Sequence, residues 1–178
     1  MSTWWSDHPD LEGVARRGRR ELIEEDAAAE GDTEQLRKRR RSLVDLCFEW
    51  MSRGDHVTIG VGTQQFDGQL VVAVNDLLVL RTEDIEVAAS THAVGFVRNN
   101  HRAAFDGTSG ERGFGSFRAY LGTAEIEQLP LRLVGQGFDV TGVIDASTDD
   151  HWLVIDRNRV EWALTRRAID YCLTTIGG

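Results

Sequence analysis

The stretch HVTIGVGTQQFDGQLVVAVNDLLVLRTEDIEVAASTHAVGFV, residues 56–97, predicts a series of short β-strands. Apolar β-branched residues alternate with other types at Val57, Ile59 and Val61, and an Asn75-Asp76 turn separates two apolar runs. Asn/Asp turns between β-branched runs at this spacing are typical of a small barrel. A glycine inside a strand pattern, here Gly68, indicates a sharply bent strand or a close backbone approach.

A second copy of this unit follows at an offset of 74 residues. Residues 42–98 align with residues 116–172 without a gap, and the alignment pairs Ser42 with Ser116, Gly68 with Gly142, Asp76 with Asp150 and Thr91 with Thr165. A repeat of fixed period requires each copy to build a similar core. Because units of about 57 residues are marginally stable alone, we expect the copies to pack on each other or on further chains.

The first 41 residues predict a helical arm. Residues 9–30 begin with Pro9 and carry apolar residues at a spacing of three to four, which predicts a helix. Asp32 is suited to cap a second helix, which we expect to run to about Ser52. Together these two segments predict an N-terminal helical hairpin.

A helix followed by five short, bent strands, with a glycine in the second strand, resembles the Sm/LSm-like small-barrel superfamily, in particular its Hfq-like members. Val57-Thr58-Ile59 and Gly68-Gln69-Leu70 are similar to the family's first two strands. Thr91-His92-Ala93-Val94, and Arg166-Arg167-Ala168-Ile169 in the second copy, stand where the family has a Lys-His-Ala-Ile element. The family's Lys-His positions line a uridine pocket, so the resemblance implies nucleic-acid contacts by His92, Arg166 and Arg167.

The predicted fold class is therefore α+β and mostly β. An N-terminal helical hairpin is followed by two tandem Sm-like five-stranded small barrels. The predicted domains are the helical arm with its basic run (1–41), the first barrel with a leading helix (42–98), a glycine-rich linker (99–115) and the second barrel (116–173).

Charge is unevenly distributed along the chain, which has a net charge of −9. Residues 42–178 hold eleven basic and nineteen acidic residues, so the repeated part is anionic and would repel nucleic acid as a whole. Phosphate contacts are therefore expected from local patches, and the strongest is Arg37-Lys38-Arg39-Arg40-Arg41. Three interpretations of this run stay open: contact with nucleic-acid phosphates, contact with an acidic protein face, or a solvated helix face with internal ion pairs.

Trp4 and Trp5 precede the first predicted helix and also allow two interpretations. Their large apolar area either anchors the arm on a barrel or forms a hot spot for a partner protein. Cys47 and Cys172 fit no metal-ligand spacing. We expect buried thiols in a reducing cytosol, with a disulfide between the copies as the alternative.

No catalytic or metal-binding motif is recognisable, since the five histidines make no ligand spacing and neither a phosphate-binding loop nor a nucleophile elbow occurs. We therefore expect no enzymatic activity, no metal and no cofactor. With neither a signal-peptide pattern nor a span of about 20 apolar residues, the chain is predicted to be cytoplasmic and without a membrane partner.

The sequence thus predicts a non-enzymatic protein that binds RNA or a ribonucleoprotein. The basic arm would contact phosphates, and the barrels would supply surfaces for assembly, including self-association. The alternative is a protein–protein scaffold or regulatory adaptor, whose open strand edges pair with partner chains.

Overall fold

The computed structural model describes residues 39–101, 103 and 113–176. The chain divides into two compact units, residues 1–41 and 42–178. The described part of the second unit contains two helices and ten strands: α1 (Leu43–Arg53), β1 (His56–Val61), β2 (Gln64–Val74), β3 (Leu77–Arg81), β4 (Ile85–Ser90), β5 (Val94–His101), α2 (Phe117–Ile126), β6 (Pro130–Gly135), β7 (Phe138–Ser147), β8 (His151–Asp156), β9 (Glu161–Thr165) and β10 (Ile169–Thr175).

Helix α1 begins at Leu43 because Ser42 caps it. The Ser42 hydroxyl accepts a hydrogen bond from the Asp45 amide at 3.1 Å, and the Asp45 carboxylate accepts one from the Ser42 amide at 3.0 Å. This reciprocal pair satisfies amide groups that a helix start leaves without partners. Residues 41 and 42 are non-helical, so the prediction of one continuous helix from residue 32 to residue 52 is wrong. The other arm of the predicted hairpin, residues 9–30, lies outside the described residues.

The ten strands form one continuous antiparallel sheet with the order β5-β1-β2-β3-β4-β10-β6-β7-β8-β9. The prediction of two separate five-stranded barrels is therefore wrong. Residues 85–89 of β4 pair with residues 171–175 of β10, and we call this strand pair the internal joint. The joint forms because each copy alone would leave a row of backbone amide and carbonyl groups without partners at this edge.

The two copies have the same strand order and nearly the same register. Val57 lies opposite Gly68 in the first copy, and Leu131 lies opposite Gly142 in the second, at the predicted offset of 74. The offset then changes: Ser90 pairs with Leu77, and its counterpart Thr165 pairs with His151, which is a shift of 75.

The gap-free alignment is therefore wrong beyond the third strand of each copy. The turn between β8 and β9, residues 157–160, is one residue longer than the turn between β3 and β4, residues 82–84. A surface turn accepts such an insertion without disturbing the core. As a result His92 corresponds to Arg167, and Thr91 corresponds to Arg166.

The sheet encloses two apolar cores that exchange side chains across the internal joint. The first core contains Cys47 and Met51 of α1 and also Tyr171 of β10, which belongs to the second copy. The second core contains the buried face of α2 and also Leu77 and Ala88 of the first copy. Because each copy completes the core of the other, the two copies stabilise one another.

Helix α2 is longer than the single turn that the sequence predicts. Gly122 was expected to stop it, yet the helix continues to Ile126. Phe117, Tyr120 and Leu121 of this helix are buried in the second core. Their burial outweighs the cost of about 1 kcal/mol for a glycine in a helix interior.

A buried polar cluster also connects the two copies. The Tyr120 hydroxyl donates to the Glu86 carboxylate at 3.0 Å and lies 3.0 Å from the Thr174 hydroxyl. Arg81 donates to the other oxygen of Glu86 at 3.1 Å. Burial and the neighbouring negative charges raise the pKa of Tyr120, so the phenol stays neutral and acts as a donor. A hydrogen-bonded cluster of this kind favours one alignment of β4 and β10 over shifted ones.

Both cysteines are buried and free, which agrees with the first interpretation of their role. Cys47 belongs to the first core and Cys172 to the second. Burial raises the pKa of Cys47 to about 11, so this thiol is uncharged at neutral pH.

The start of β1 is fastened to β5 by a buried carboxylate. Asp55 is fully buried and accepts hydrogen bonds from Asn99 at 2.6 Å, from the Ala103 amide at 3.0 Å and from the Arg53 guanidinium at 2.6 and 3.1 Å. Burial by itself raises the pKa of Asp55. The hydrogen bonds outweigh this effect, and the pKa is lowered from its usual value.

We predict that Gly142→Ala lowers the free energy of unfolding by about 1–3 kcal/mol, because an added Cβ would collide with the backbone carbonyl of Ile155. Gly68 faces the carbonyl of Arg81 in the equivalent position. Gly122→Ala is the matched control, since its Cβ meets no atom within 4 Å and alanine favours the helix by about 0.5–1 kcal/mol. Urea unfolding of both variants measures the difference, and equal stabilities would contradict the close approach.

We predict that Asp55→Asn lowers the free energy of unfolding at pH 7 by about 1.5–3 kcal/mol, the usual value of hydrogen bonds to a charged group. The folded-state pKa lies below the unfolded value of about 3.9, so the carboxylate stabilises the protein above about pH 4 and loses this effect as pH falls through the folded pKa. Urea unfolding at pH 7 and in acid should therefore show a smaller loss in acid. Asp149→Asn, at an exposed turn, is the control, and a loss for Asp55→Asn that ignores pH would contradict the assignment.

Candidate functional site

A cavity of about 580 Å³ lies where the two copies meet. The first copy contributes the β2–β3 turn and the β4–β5 turn, and the second copy contributes α2, β8 and the β9–β10 turn. Ten residues line the cavity: Asp76, Ser90, His92, Phe117, Arg118, Leu121, Trp152, Arg166, Arg167 and Ile169. The cavity therefore exists only because the internal joint brings the two copies together.

Two equivalent tight turns carry His92 and Arg167. The Ala93 amide donates to the Ser90 carbonyl at 3.0 Å, and the Ala168 amide donates to the Thr165 carbonyl at the same distance. Each turn is held from outside by a further backbone hydrogen bond, accepted by the carbonyl of Asp76 at 2.9 Å in the first copy and by that of Asp150 at 3.0 Å in the second. The backbone of both turns is thus fixed, while His92 and Arg167 remain exposed.

Arg166 is anchored beside the cavity. Its guanidinium carbon lies 5.7 Å from the centroid of the Trp152 ring, within the range of a cation–π contact. The guanidinium also donates to the carbonyl of Thr148. Its Nε is buried and has no hydrogen-bond partner among the described residues. Arg166 thus presents a planar cation whose orientation is set by the protein.

Arg118 reaches the cavity from the first turn of α2. Ser116 caps this helix by accepting a hydrogen bond from the Ala119 amide at 3.1 Å. The Asp76 carboxylate accepts another from the Phe117 amide at 3.0 Å, so an anion from the first copy occupies part of the positive end of the helix. Asn75, in the same turn as Asp76, donates to the Gly115 carbonyl at 2.6 Å. The first copy therefore positions the helix that carries Arg118.

The cavity is positively charged although the repeats are acidic. Arg118, Arg166 and Arg167 outnumber Asp76, which gives the lining residues a formal charge of +2 with His92 neutral. Part of the Asp76 charge is compensated by the Phe117 amide. The site can therefore hold an anion or an anionic group of a larger ligand.

The structure brings together three of the predicted site residues, His92, Arg166 and Arg167. Arg39, Arg40 and Arg41 are exposed and belong to the other compact unit. Four further predicted residues lie outside the described part of the chain: Trp4, Trp5, Arg37 and Lys38.

Arg118 was missed from the sequence. A detectable signal exists, because Ser116 follows a glycine-rich segment and marks a helix start, which places Arg118 in the first turn. Its proximity to His92 depends on the pairing of β4 with β10, and no local pattern encodes that pairing.

Within the described ranges, no group of three or more His, Cys, Asp or Glu residues is arranged to hold a metal ion. The helices among these residues are also too short or too polar to cross a membrane.

No family model matches the chain, and no curated protein or solved structure matches it either. The resemblance to small Sm-like barrels therefore stays a prediction from the sequence.

Proposed function

We propose that the chain binds single-stranded RNA, alone or in a ribonucleoprotein, and that the cavity between the copies accepts one nucleotide. The main support is the convergence of His92, Arg166 and Arg167 on one cavity. These residues come from turns about 75 positions apart, and the sequence resemblance had assigned them to RNA contacts.

The chemistry of the lining suits a nucleotide. Arginine donates to phosphate oxygens in a planar, two-pronged geometry, and its flat face also stacks on bases. Arg118 and Arg167 are exposed and supply the phosphate contacts, while Arg166 is held flat near Trp152 and supplies a stacking surface. Trp152 itself is buried and belongs to the core.

The size of the cavity favours a short contact. Its volume of about 580 Å³ lies within the range of about 300–1,000 Å³ that is usual for small-ligand sites. The acidic remainder of the repeats repels a long stretch of polyanion. We therefore expect a flexible single strand to insert one nucleotide, with the basic run at residues 37–41 contacting neighbouring phosphates. We infer a cytoplasmic, non-enzymatic role.

A second candidate function is a protein scaffold or adaptor, as the sequence analysis also allowed. The observation that favours it is the pair of outer sheet edges, at β5 and β9, which no described strand covers. Such edges add strands from partner chains through main-chain hydrogen bonds. A scaffold would show no salt-dependent binding of oligonucleotides.

We predict that Arg167→Gln weakens binding of a labelled oligouridylate in fluorescence anisotropy. Loss of one phosphate contact should reduce the slope of log K against log salt by about 0.7. The matched control is Arg157→Gln, an exposed arginine in the β8–β9 turn that does not line the cavity. If both variants bind as the unchanged protein does, the cavity is not the RNA site.

We also predict that replacing residues 37–41 with serine reduces the same slope by up to about 3.5, since five cations are removed. Arg167→Gln should keep its effect in this background if the arm and the cavity contact separate phosphates. An unchanged slope would show that the basic run is a solvated helix face. It would leave the cavity as the remaining candidate.

A further inference from the structure

The internal joint is a complete interface between two equivalent units. Five residue pairs join β4 to β10, and residues of each copy enter the core of the other. Val87, Ala88 and Ala89 of β4 and Cys172 of β10 are fully buried there. Both halves of this interface are defined by sequence, and both halves occur a second time in the chain.

The second occurrence lies at the two ends of the sheet. β9 is the counterpart of β4, and β5 is the counterpart of β10. The outer edges of β9 and β5 have no strand partner in the described ranges 39–101 and 113–176. Each chain therefore carries one half of the interface at each end.

Apolar side chains at these ends are exposed, whereas their counterparts in the joint are buried. Trp162 on β9 is 37% exposed, and its counterpart Val87 is fully buried. Phe96 on β5 is 42% exposed, and its counterpart Tyr171 is 5% exposed. Val160, which precedes β9, is also exposed. Large apolar groups on a strand edge without a partner mark a surface for pairing.

The leading helices show the same difference. Tyr120 of α2 reaches across the joint to Glu86 of β4. In α1, Leu43 takes the position of Phe117 and is 37% exposed, whereas Phe117 is 5% exposed. The face of α1 next to β5 therefore lacks the neighbouring strand that α2 has.

We propose that β9 of one chain pairs with β5 of a second copy of this chain in the register of the internal joint. Transferring that register places Leu164 opposite Phe96, Ala163 opposite Val97, Trp162 opposite Arg98 and Glu161 opposite Asn99. The contact joins unlike surfaces, so it is head-to-tail and adds further copies until it closes on itself.

The chemistry across the new contact is complementary. Arg98 faces Trp162, which suits a cation–π pair, and lies diagonally from Glu161. One feature of the internal joint is not reproduced, because Leu46 takes the place of Tyr120 and cannot donate to Glu161. The contact between chains is therefore weaker than the internal joint, and assembly depends on concentration.

Sedimentation velocity over a wide range of concentrations tests this proposal on the full chain. Two variants block opposite ends: Trp162→Lys places a cation opposite Arg98, and Phe96→Lys removes the ring from β5. Each variant alone should be monomeric, and an equimolar mixture should form a dimer and nothing larger, because one intact β9 meets one intact β5. Ile126→Lys is the control, since Ile126 is 84% exposed on α2 and should leave assembly unchanged.

Circular dichroism and urea unfolding verify that the variants fold. The Phe96 ring covers Gly60, so Arg98→Glu serves as a second β5 variant that keeps this packing. A wild-type chain that stays monomeric at all concentrations would overturn the proposal. So would a variant that assembles like the wild type, or a mixture that fails to dimerise. Assembly is measured without RNA, so the outcome is independent of the proposed RNA site.

Discussion

The pairing of β4 with β10 is the constraint on which the rest of this structure depends. Two units of fewer than 60 residues each have small cores, and a strand edge left open exposes a row of backbone groups to water. The joint addresses both problems, because it pairs those groups and merges apolar side chains such as Tyr171 and Ala88 into the neighbouring cores. The Tyr120–Glu86 hydrogen bond then selects one register.

The candidate site is a consequence of the same pairing. Asp76 belongs to the first copy but caps the helix that carries Arg118 in the second. The turn with His92 comes from one copy, and the turn with Arg166 and Arg167 comes from the other. Positive charge is thereby concentrated in a cavity on an otherwise acidic body, and this contrast favours a local contact with an anionic ligand over a broad electrostatic surface.

Particular residues show how far sequence reasoning extends. The Ser42 cap, the Asn75-Asp76 turn and the bent-strand glycines Gly68 and Gly142 were recognisable, because each has a local conformational requirement. The extra residue in the β8–β9 turn was not visible, since a turn imposes no hydrophobic period and the alignment of 74 stayed plausible. The length of α2 was underestimated because tertiary burial overrode the low helix propensity of Gly122.

By itself, the sequence determined the strands, the turns between them, the duplication and the arginine-bearing turns. These features follow from side-chain period and turn chemistry over a few neighbouring residues. Only the tertiary structure decided that the copies form one sheet and that Arg118, Arg166, Arg167 and His92 share a cavity. The physical reason is that strand edges present the same backbone groups in every sequence. The choice of partner therefore depends on how distant apolar faces fit together, and local patterns do not record it.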